Sequence, residues 1–396
     1  MFCIFNLGPD PVENLVSENS SEEIKQAIRK KFDLDLSFGK RYALYLNNLS
    51  PLSVLDKEND KSRIYFDQSK YEGFSIMPLP NGKSLVLKKP YLSRSYLNER
   101  KVSEVIAESL PGTVVLAVLA ISIALIIGLL IGVQSALHQG TWIDHVVTFF
   151  SVLGMSGPSF FMAILIAWIG GWLWYDHIHI PYLPLAFVLI AVLTTWAYKK
   201  KFPDKNVSYF LTGGMGLILG LLLWSLGVST SVLVLPGTGL SMNGSLYEVD
   251  VFEGRYLNLN NLILPAITLG IRPLAVIVQL TRSALLEELS KDYIRTARAK
   301  GVGPRRVLFK HALRNALNPV VTAVSGWFAS LLAGAVFVEF VFGYKGLGML
   351  TYNALEKDDL PVVMGAVLVI ALTFVVINIA VDILYGILDP RVRTSA

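Results

Sequence analysis

The stretch DYIRTARAKGVGPRRVLFKHALRNALNP, Asp292–Pro319, decides how this chain is read. It is polar and basic, and it lies between two apolar blocks, Leu262–Thr281 and Val320–Phe342. Its spacing predicts two short helices. Asp292 stands where an N-cap is wanted, and Ile294, Ala297 and Arg298 fall on one side of the first helix. Gly301 ends it, because glycine takes the left-handed cap conformation without a Cβ clash. Gly303-Pro304 opens the second helix, with proline at its first position. Val307, Leu308, Ala312 and Leu313 then meet apolar surface, and Pro319 leads into the next block. Thr296, Ala297 and Ala299 are small enough to let another protein approach the backbone closely.

Outward from this stretch, the sequence is that of a membrane protein. Of 396 residues, 53% are hydrophobic and 16% charged, with mean hydropathy +0.52. An ordinary globular domain is about 25% charged, so a soluble enzyme is excluded. Seven apolar blocks are expected to span a ~30 Å hydrocarbon core as helices: Gly112–Leu137, Val146–Tyr175, Tyr182–Tyr198, Tyr209–Leu235, Leu262–Thr281, Val320–Phe342 and Pro361–Leu388. Gly154, Gly157 and Pro158 predict a kink or a close helix approach in the second. From Arg282 to Arg314 there are nine Lys/Arg against three Asp/Glu, which puts this loop in the cytoplasm. Counting spans from there puts Lys199-Lys200-Lys201 and the tail with Arg391 and Arg393 inside. The loop with Glu248, Asp250 and Glu253 lies outside, as does Lys345–Asp359. The net charge of +5 therefore belongs to inner loops, and no nucleic-acid partner is expected. The single cysteine, Cys3, rules out an intrachain disulfide and a Cys-based zinc site.

Residues 1–8 (MFCIFNLG) read as the outer end of a first membrane helix whose beginning is absent, or else as a short anchor. Residues 9–111 form a polar insert that the span count places outside, and 112–396 form the membrane domain. In the insert, Glu22–Phe32 has helical spacing. Ile64–Phe66 and Ser84–Leu87 have strand character, with a hairpin turn at Pro80–Lys83.

The wording RTARAKG…HALRNAL.P resembles the cytoplasmic coupling loop of ABC importer permeases, in the form of the dipeptide/oligopeptide family's B-type transmembrane subunit. Arg295-Thr296-Ala297 occupies the positions of that loop's EAA signature, with Gly301 as its glycine. Similar short segments recur at Asn6–Pro11, Val102–Thr113 (VSEVIAESLPGT), Gly140–Asp144 (GTWID), Leu264–Leu269, Leu280–Ser283 (LTRS), Glu339–Gly348 (EFVFGYKGLG) and Asn378–Arg393. The enlarged insert around Leu49–Pro90 and an added helix pair, about 182–235, depart from the family core. The resemblance implies an all-α polytopic membrane protein: a type I importer-like helical bundle with a small mixed α/β extracytoplasmic insert. It implies a bacterial inner-membrane permease for dipeptides or oligopeptides that works by alternating access. Related permeases carry nickel chelates, glutathione or other small solutes. The implied partners are a second homologous permease subunit in a heterodimer, two cytoplasmic ABC ATPases, an extracytoplasmic peptide-binding protein and the lipid bilayer. No cofactor, metal or catalytic residue is called for. The coupling loop, 284–318, would dock into the ATPase groove through Asp292, Tyr293, Ile294, Arg295, Thr296, Ala297, Arg298, Ala299, Lys300 and Gly301. Of these, Tyr293, Ile294 and Ala297 would be its apolar contacts, and Arg295 and Arg298 its polar ones.

Other chemistry-bearing residues have blander readings. Asn81-Gly82-Lys83-Ser84 ends like a phosphate-binding loop, but Met77 stands where that motif needs glycine, so it reads as a turn. Arg272 lies mid-helix beside Pro273, where a charge must face a pathway or a structural partner. Glu339 is expected to cap the Phe342–Gly348 turn, and Asp382 to pair locally. Asp176, His177 and His179 read as the polar end of a span beside Trp172 and Trp174. An intramembrane enzyme would need paired catalytic residues at one depth, and no such pairing is legible.

Overall fold

The computed structural model describes residues 2, 12–16, 21–60, 62–68, 70–201, 209–226, 232–250, 252 and 254–388. The reading of 1–8 (Phe2 apart), most of the KKKFPDK loop, the tail with Arg391 and Arg393 and the side chain of Asp382 lie outside the described residues. The chain divides into two compact units, Met1–Ile164 with Asn243–Ala396, and Leu165–Met242.

The insert begins with α1, Glu22–Lys31, as its spacing predicts. Glu22 and Glu23 open it and Arg29, Lys30 and Lys31 close it, which suits the helix dipole at both ends. After α2 (Phe38–Leu49) come β1 (Leu52–Asp56), β2 (Gly73–Pro78) and β3 (Lys83–Lys88), an antiparallel sheet in the order β1-β3-β2. The β2–β3 turn places Asn81 and Gly82 at φ 65° and 70°, the left-handed region these residues tolerate best. Ile64–Phe66, expected as a strand, makes only a single bridge, Asp56 to Tyr65. Leu52–Asp56 takes that edge instead, because it delivers Leu55 to the core with Tyr71 and Val86.

The first long helix, α3, runs over Val102–Leu137 and starts ten residues before the apolar block at Gly112. Its first turns are polar on one side only. Val102 and Ile106 are buried against Leu347, Val362, Val363 and Ala366, so tertiary packing extends the helix past Pro111. Then come α4 (Trp142–Ser156) and α5 (Ser159–Ile166), which continues in wider π-helical turns over Ala167–Leu173. The helix path bends by 111° between Ser156 and Ser159, so the expected kink at Gly157-Pro158 is a full break.

In the second unit, β4 (His177–Pro181) pairs antiparallel with β5 (Val232–Pro236), below a hairpin of α6 (Tyr182–Lys201) and α7 (Tyr209–Ser225). The block expected to be helical to Leu235 therefore stops at Ser225, and its last residues form a strand. A Cβ on Gly216 would sit 2.7 Å from the Phe187 carbonyl, so only glycine allows α6 and α7 their close approach. Thr195 donates to Thr212 across them at 2.8 Å.

The first unit resumes with the hairpin β6 (Tyr247–Asp250) and β7 (Gly254–Leu257), then α8, Asn260–Ser290. This helix continues nine residues beyond the apolar block, so the segment from 284 to Ser290 is helix and not loop. α9 is Asp292–Ala299. A composite helical segment follows over 304–316, with π-helical turns at Val307–Ala312. The chain ends in α10 (Asn318–Gly334), α11 (Val336–Val341), α12 (Leu347–Glu356) and α13 (Leu360–Leu388).

Among the described residues, three helices are long and apolar enough to cross a membrane, Val102–Leu137, Asn260–Ser290 and Leu360–Ala380, or four if the bent pair counts as one span. Seven spans were expected. Asn318–Gly334 falls short at 17 residues, and the apolar parts of α6 and α7 are shorter still, Pro184–Tyr198 and Thr212–Ser225.

Candidate functional site

α8 and α9 meet at a sharp corner. Lys291 is extended (φ −71°, ψ 150°), and it is Lys291, not Asp292, that occupies the N-cap position of α9. Asp292 sits in the first turn, where its charge suits the helix N-terminus, but its side chain is 95% exposed and makes no cap bond. The corner is held by Glu288. Its carboxylate accepts from Lys291 Nζ at 2.5 Å and from the Tyr293 hydroxyl, and Asn315 Nδ2 donates to that hydroxyl at 3.0 Å. One buried acid thus joins the end of α8, the start of α9 and the 304–316 segment. The Glu288 carboxylate holds the Lys291 ammonium above its usual pKa, and partial burial followed by the same carboxylate raises that of Tyr293.

Ile294 is fully buried, in a cluster with Ala136, Leu285, Val307, Ala312 and Ala316, and Ala297 packs on its edge. The expected apolar docking contact at Ile294 is therefore an internal anchor. Its spacing also aligns with Val307 and Ala312, and tertiary packing chose that side. Tyr293 is turned to Glu288. Arg295, Thr296, Arg298, Ala299, Lys300 and Gly301 are exposed. Gly301 has φ 77°, and its amide donates to the Arg298 carbonyl at 3.0 Å, which closes α9 as the sequence predicts. Gly303 and Pro304 likewise open the next segment as predicted. The exposed Arg295–Asp292 pair, at 3.6 Å, contributes little.

Directly behind this element lies an ion pair that sequence reasoning did not assign. Arg282 donates through Nε to Asp144 Oδ1 at 2.6 Å and through an η nitrogen to Oδ2 at 2.8 Å. Ser135 Oγ donates to Oδ1 at 2.6 Å and the Gly140 amide to Oδ2 at 2.9 Å. Asp144 therefore has four donors, and it joins the end of α3, the following turn, the start of α4 and α8. Here α3 and α8 run in close contact. A Cβ on Gly128 or Gly132 would come within 2.8 Å of Ile277 or 2.7 Å of Thr281. The signal was present as the spacing Gly128-x-x-x-Gly132 opposite Ile277 and Thr281.

The far end of α3 carries a second polar cluster. Glu339, fully buried, accepts from Thr113 Oγ1 at 2.6 Å and from the Met349 amide at 2.9 Å. Thr113 in turn accepts from the Leu347 amide at 2.7 Å, and the Tyr344 hydroxyl donates to the Gly112 carbonyl at 3.0 Å. Glu339 caps the turn after Phe342, as expected, and also ties it to α3. Thr113 and Ser135 are 22 residues apart on one helix. That is about 33 Å at 1.5 Å per residue, close to the ~30 Å of a hydrocarbon core. Two polar ties thus stand at the two ends of one span.

The segments so joined are sequence-distant but pairwise matched: VSEVIAESLPGT with EFVFGYKGLG, and GTWID with LTRS. Residues 124–394 match the family described as the binding-protein-dependent transport system inner membrane component. The chain belongs to this family. It is 29% identical over 393 residues to the dipeptide transport system permease protein DppB of Alkalihalophilus pseudofirmus, covering 99% of this chain and 93% of that one. It is 36% identical over 284 residues to the di/tripeptide transport system permease protein DppB of Pseudomonas aeruginosa (72% and 70% covered). With the dipeptide transport system permease protein DppB of Escherichia coli it shares 35% identity over 282 residues (71% and 70% covered).

α9 cannot slide without moving α8 through Glu288, or the 304–316 segment through Ile294. The mid-span cation Arg272 is exposed, and its side chain makes no ion pair or hydrogen bond with the described residues. Membership in a binding-protein-dependent transport family implies that it works with ATPase and binding-protein partners.

Proposed function

We propose that this chain is a permease subunit of an ATP-binding-cassette importer for dipeptides and oligopeptides. A second, homologous permease completes the pathway as a heterodimer, and two cytoplasmic ATPases close on ATP to drive it. An extracytoplasmic binding protein delivers the peptide. The coupling element is Asp292–Gly301, seated in the ATPase groove through its exposed residues Arg295, Thr296, Arg298, Ala299, Lys300 and Gly301. The observation that carries this reading is that α9 is held by Glu288 through Tyr293 and by Ile294 with Ala297, while Arg295, Thr296, Arg298 and Ala299 are exposed. The names of the relatives support peptides as the cargo.

Arg298→Glu tests the docking. It reverses an exposed charge without touching the buried cluster, whereas a change at Ala297 would disturb both. The expected result is at least a tenfold loss of ATP-driven uptake, with the ATPases co-purifying poorly and the melting temperature of the subunit unchanged. Full uptake with this variant would remove α9 from the coupling role. A panel of peptides, nickel chelates and glutathione, offered to the reconstituted complex, reads the cargo. Uptake of a chelate or glutathione in preference to every peptide would move the assignment.

Arg272 is the pathway residue in this reading. An unscreened guanidinium at mid-span is costly against lipid, so it faces the second subunit or the water of the pathway. There it meets the peptide carboxylate. Arg272→Gln is expected to lower peptide uptake at least tenfold while ATP turnover continues. Unchanged uptake would dispose of this role.

A further inference from the structure

α4 and α8 meet at two places. A Cβ on Gly154 would lie 3.3 Å from both Ile271 and Ala275, and further along the Asp144–Arg282 pair joins the helices again. Along this seam lies a cavity of about 290 Å³. α4 gives it Thr148 and Met155, and α8 gives it Val276, Gln279, Leu280 and Ser283. Arg282, with 28% of its side chain exposed, borders it as well.

The polar groups along the seam are not spent on the fold. The Gln279 side-chain amide makes no hydrogen bond with the described residues, and neither does the Thr148 hydroxyl. Ser283 Oγ bonds only backwards, to the carbonyls of Gln279 and Leu280. Arg272 stands seven residues before Gln279, two turns and about 10.5 Å away on the same side of α8. Arg272, Gln279 and Ser283 thus form one polar stripe on a membrane helix. The neighbouring side of α4 is different, since Phe149, Phe150 and Leu153 are exposed and apolar. Lipid suits those residues and not the stripe, because an amide left unpaired in hydrocarbon is costly.

The make-up of the cavity suits a passing peptide. Gln279 offers two donors and an acceptor, which pair with the backbone amide that every peptide carries. Met155 and Leu280 supply an apolar wall, and methionine adapts to side chains of different shape. The volume lies just below the ~300–1,000 Å³ typical of small-ligand sites, which fits a short stretch of extended chain.

We propose that the seam of α4 and α8 lines the peptide's path from Arg272 toward α9, and that Gln279 binds the passing peptide by its backbone. The proposal rests on the reading of the chain as a peptide permease with Arg272 in its pathway, and it extends that pathway two turns along α8. Specificity there is for the peptide bond and not for a particular side chain.

The test uses the full chain assembled with its partner subunits in proteoliposomes. Cys3→Ser removes the single cysteine, and Gln279→Cys or Phe150→Cys is added to that background. A charged, membrane-impermeant methanethiosulfonate is supplied on both sides of the membrane. Gln279→Cys is expected to react at least tenfold faster than Phe150→Cys, and the dipeptide Ala-Phe should slow its labelling at least threefold. Separately, Gln279→Leu should raise the KM for Ala-Phe uptake at least tenfold, with a smaller effect on the maximal rate and no change in melting temperature. A Gln279→Cys thiol as slow as Phe150→Cys would mean that lipid or the second subunit covers the stripe, and would overturn the proposal. Labelling that Ala-Phe leaves unslowed, an unaltered KM, or a lowered melting temperature with only the maximal rate reduced would each overturn it too. Uptake of Ala-Phe by wild type with Gln279→Cys unlabelled condemns the seam alone. Rapid labelling of Gln279→Cys with no uptake of any peptide by wild type condemns the transport reading instead.

Discussion

Asp144→Asn should destabilise the membrane domain by about 2–3 kcal/mol and abolish most transport. Removing one partner of a buried ion pair costs about 3–5 kcal/mol, because the other charge is left without compensation. The lower figure applies here since Arg282 keeps 28% of its side chain exposed, against 6% for Asp144. The change also replaces one of two acceptor oxygens by an NH2, so either the Ser135 hydroxyl on Oδ1 or the Gly140 amide on Oδ2 loses its acceptor and the turn between α3 and α4 loosens. Transport suffers because the same tie fixes α8, and α8 carries α9 through Glu288. Arg282→Gln should be milder, as Asp144 retains two donors. The double variant should recover at least about 1 kcal/mol relative to the sum of the single changes, the size expected for directly coupled residues. Thermal unfolding of the four proteins in detergent provides the cycle. Strict additivity would mean that the pair contributes nothing beyond its separate halves.

Glu339→Ala is expected to cost about 3 kcal/mol. A buried donor left without an acceptor costs roughly 1–3 kcal/mol, and here the Thr113 hydroxyl and the Met349 amide would each be left so. A fully buried side chain also leaves a void on truncation. Glu339→Gln keeps the shape and one acceptor, and should lose about 1 kcal/mol. Gly346→Ala offers an independent probe, because a Cβ there would collide with the Glu339 carboxylate. All three changes act where α3 meets the turn before α12, and none touches α9. Melting temperatures should therefore fall in the order Gln, then Ala, with ATPase co-purification intact. Loss of ATPase association in Glu339→Ala at unchanged stability would refute this division of labour.

How much of this was legible depends on the range of the interaction. Gly301, Gly303 and Pro304 were readable because a helix stop and start are decided by the φ of one or two residues. The hairpin at Asn81-Gly82 was readable for the same reason. The membrane class followed from composition and hydropathy, which do not depend on packing. Strand choice in the insert was not readable: Leu52–Asp56 and Ile64–Phe66 have similar local propensity, and the contact of Leu55 with Tyr71 and Val86 decided between them. The start of α3 and the end of α8 lie beyond their apolar blocks for a related reason. Their polar outer turns are helical because one side is buried, which hydropathy alone does not report.

The candidate site divides along the same line. Its small residues and its charges are local properties, and the helix Asp292–Ala299 with its stop at Gly301 could be read from the residues alone. Which side of α9 faces outward could not. Ile294 and Ala297 share helical spacing with a docking surface and with a core, and only the positions of Leu285, Val307 and Ala312 resolve the two. Asp144 with Arg282 is separated by 138 positions and Thr113 with Glu339 by 226, so no window of sequence contains either pair. The chain's residues specify a membrane-spanning transport component and the short helix Asp292–Ala299 with its stop at Gly301. The folded bundle decides which buried charges meet, because in a low-dielectric interior a charge goes where its partner is, however far away in the chain that partner lies.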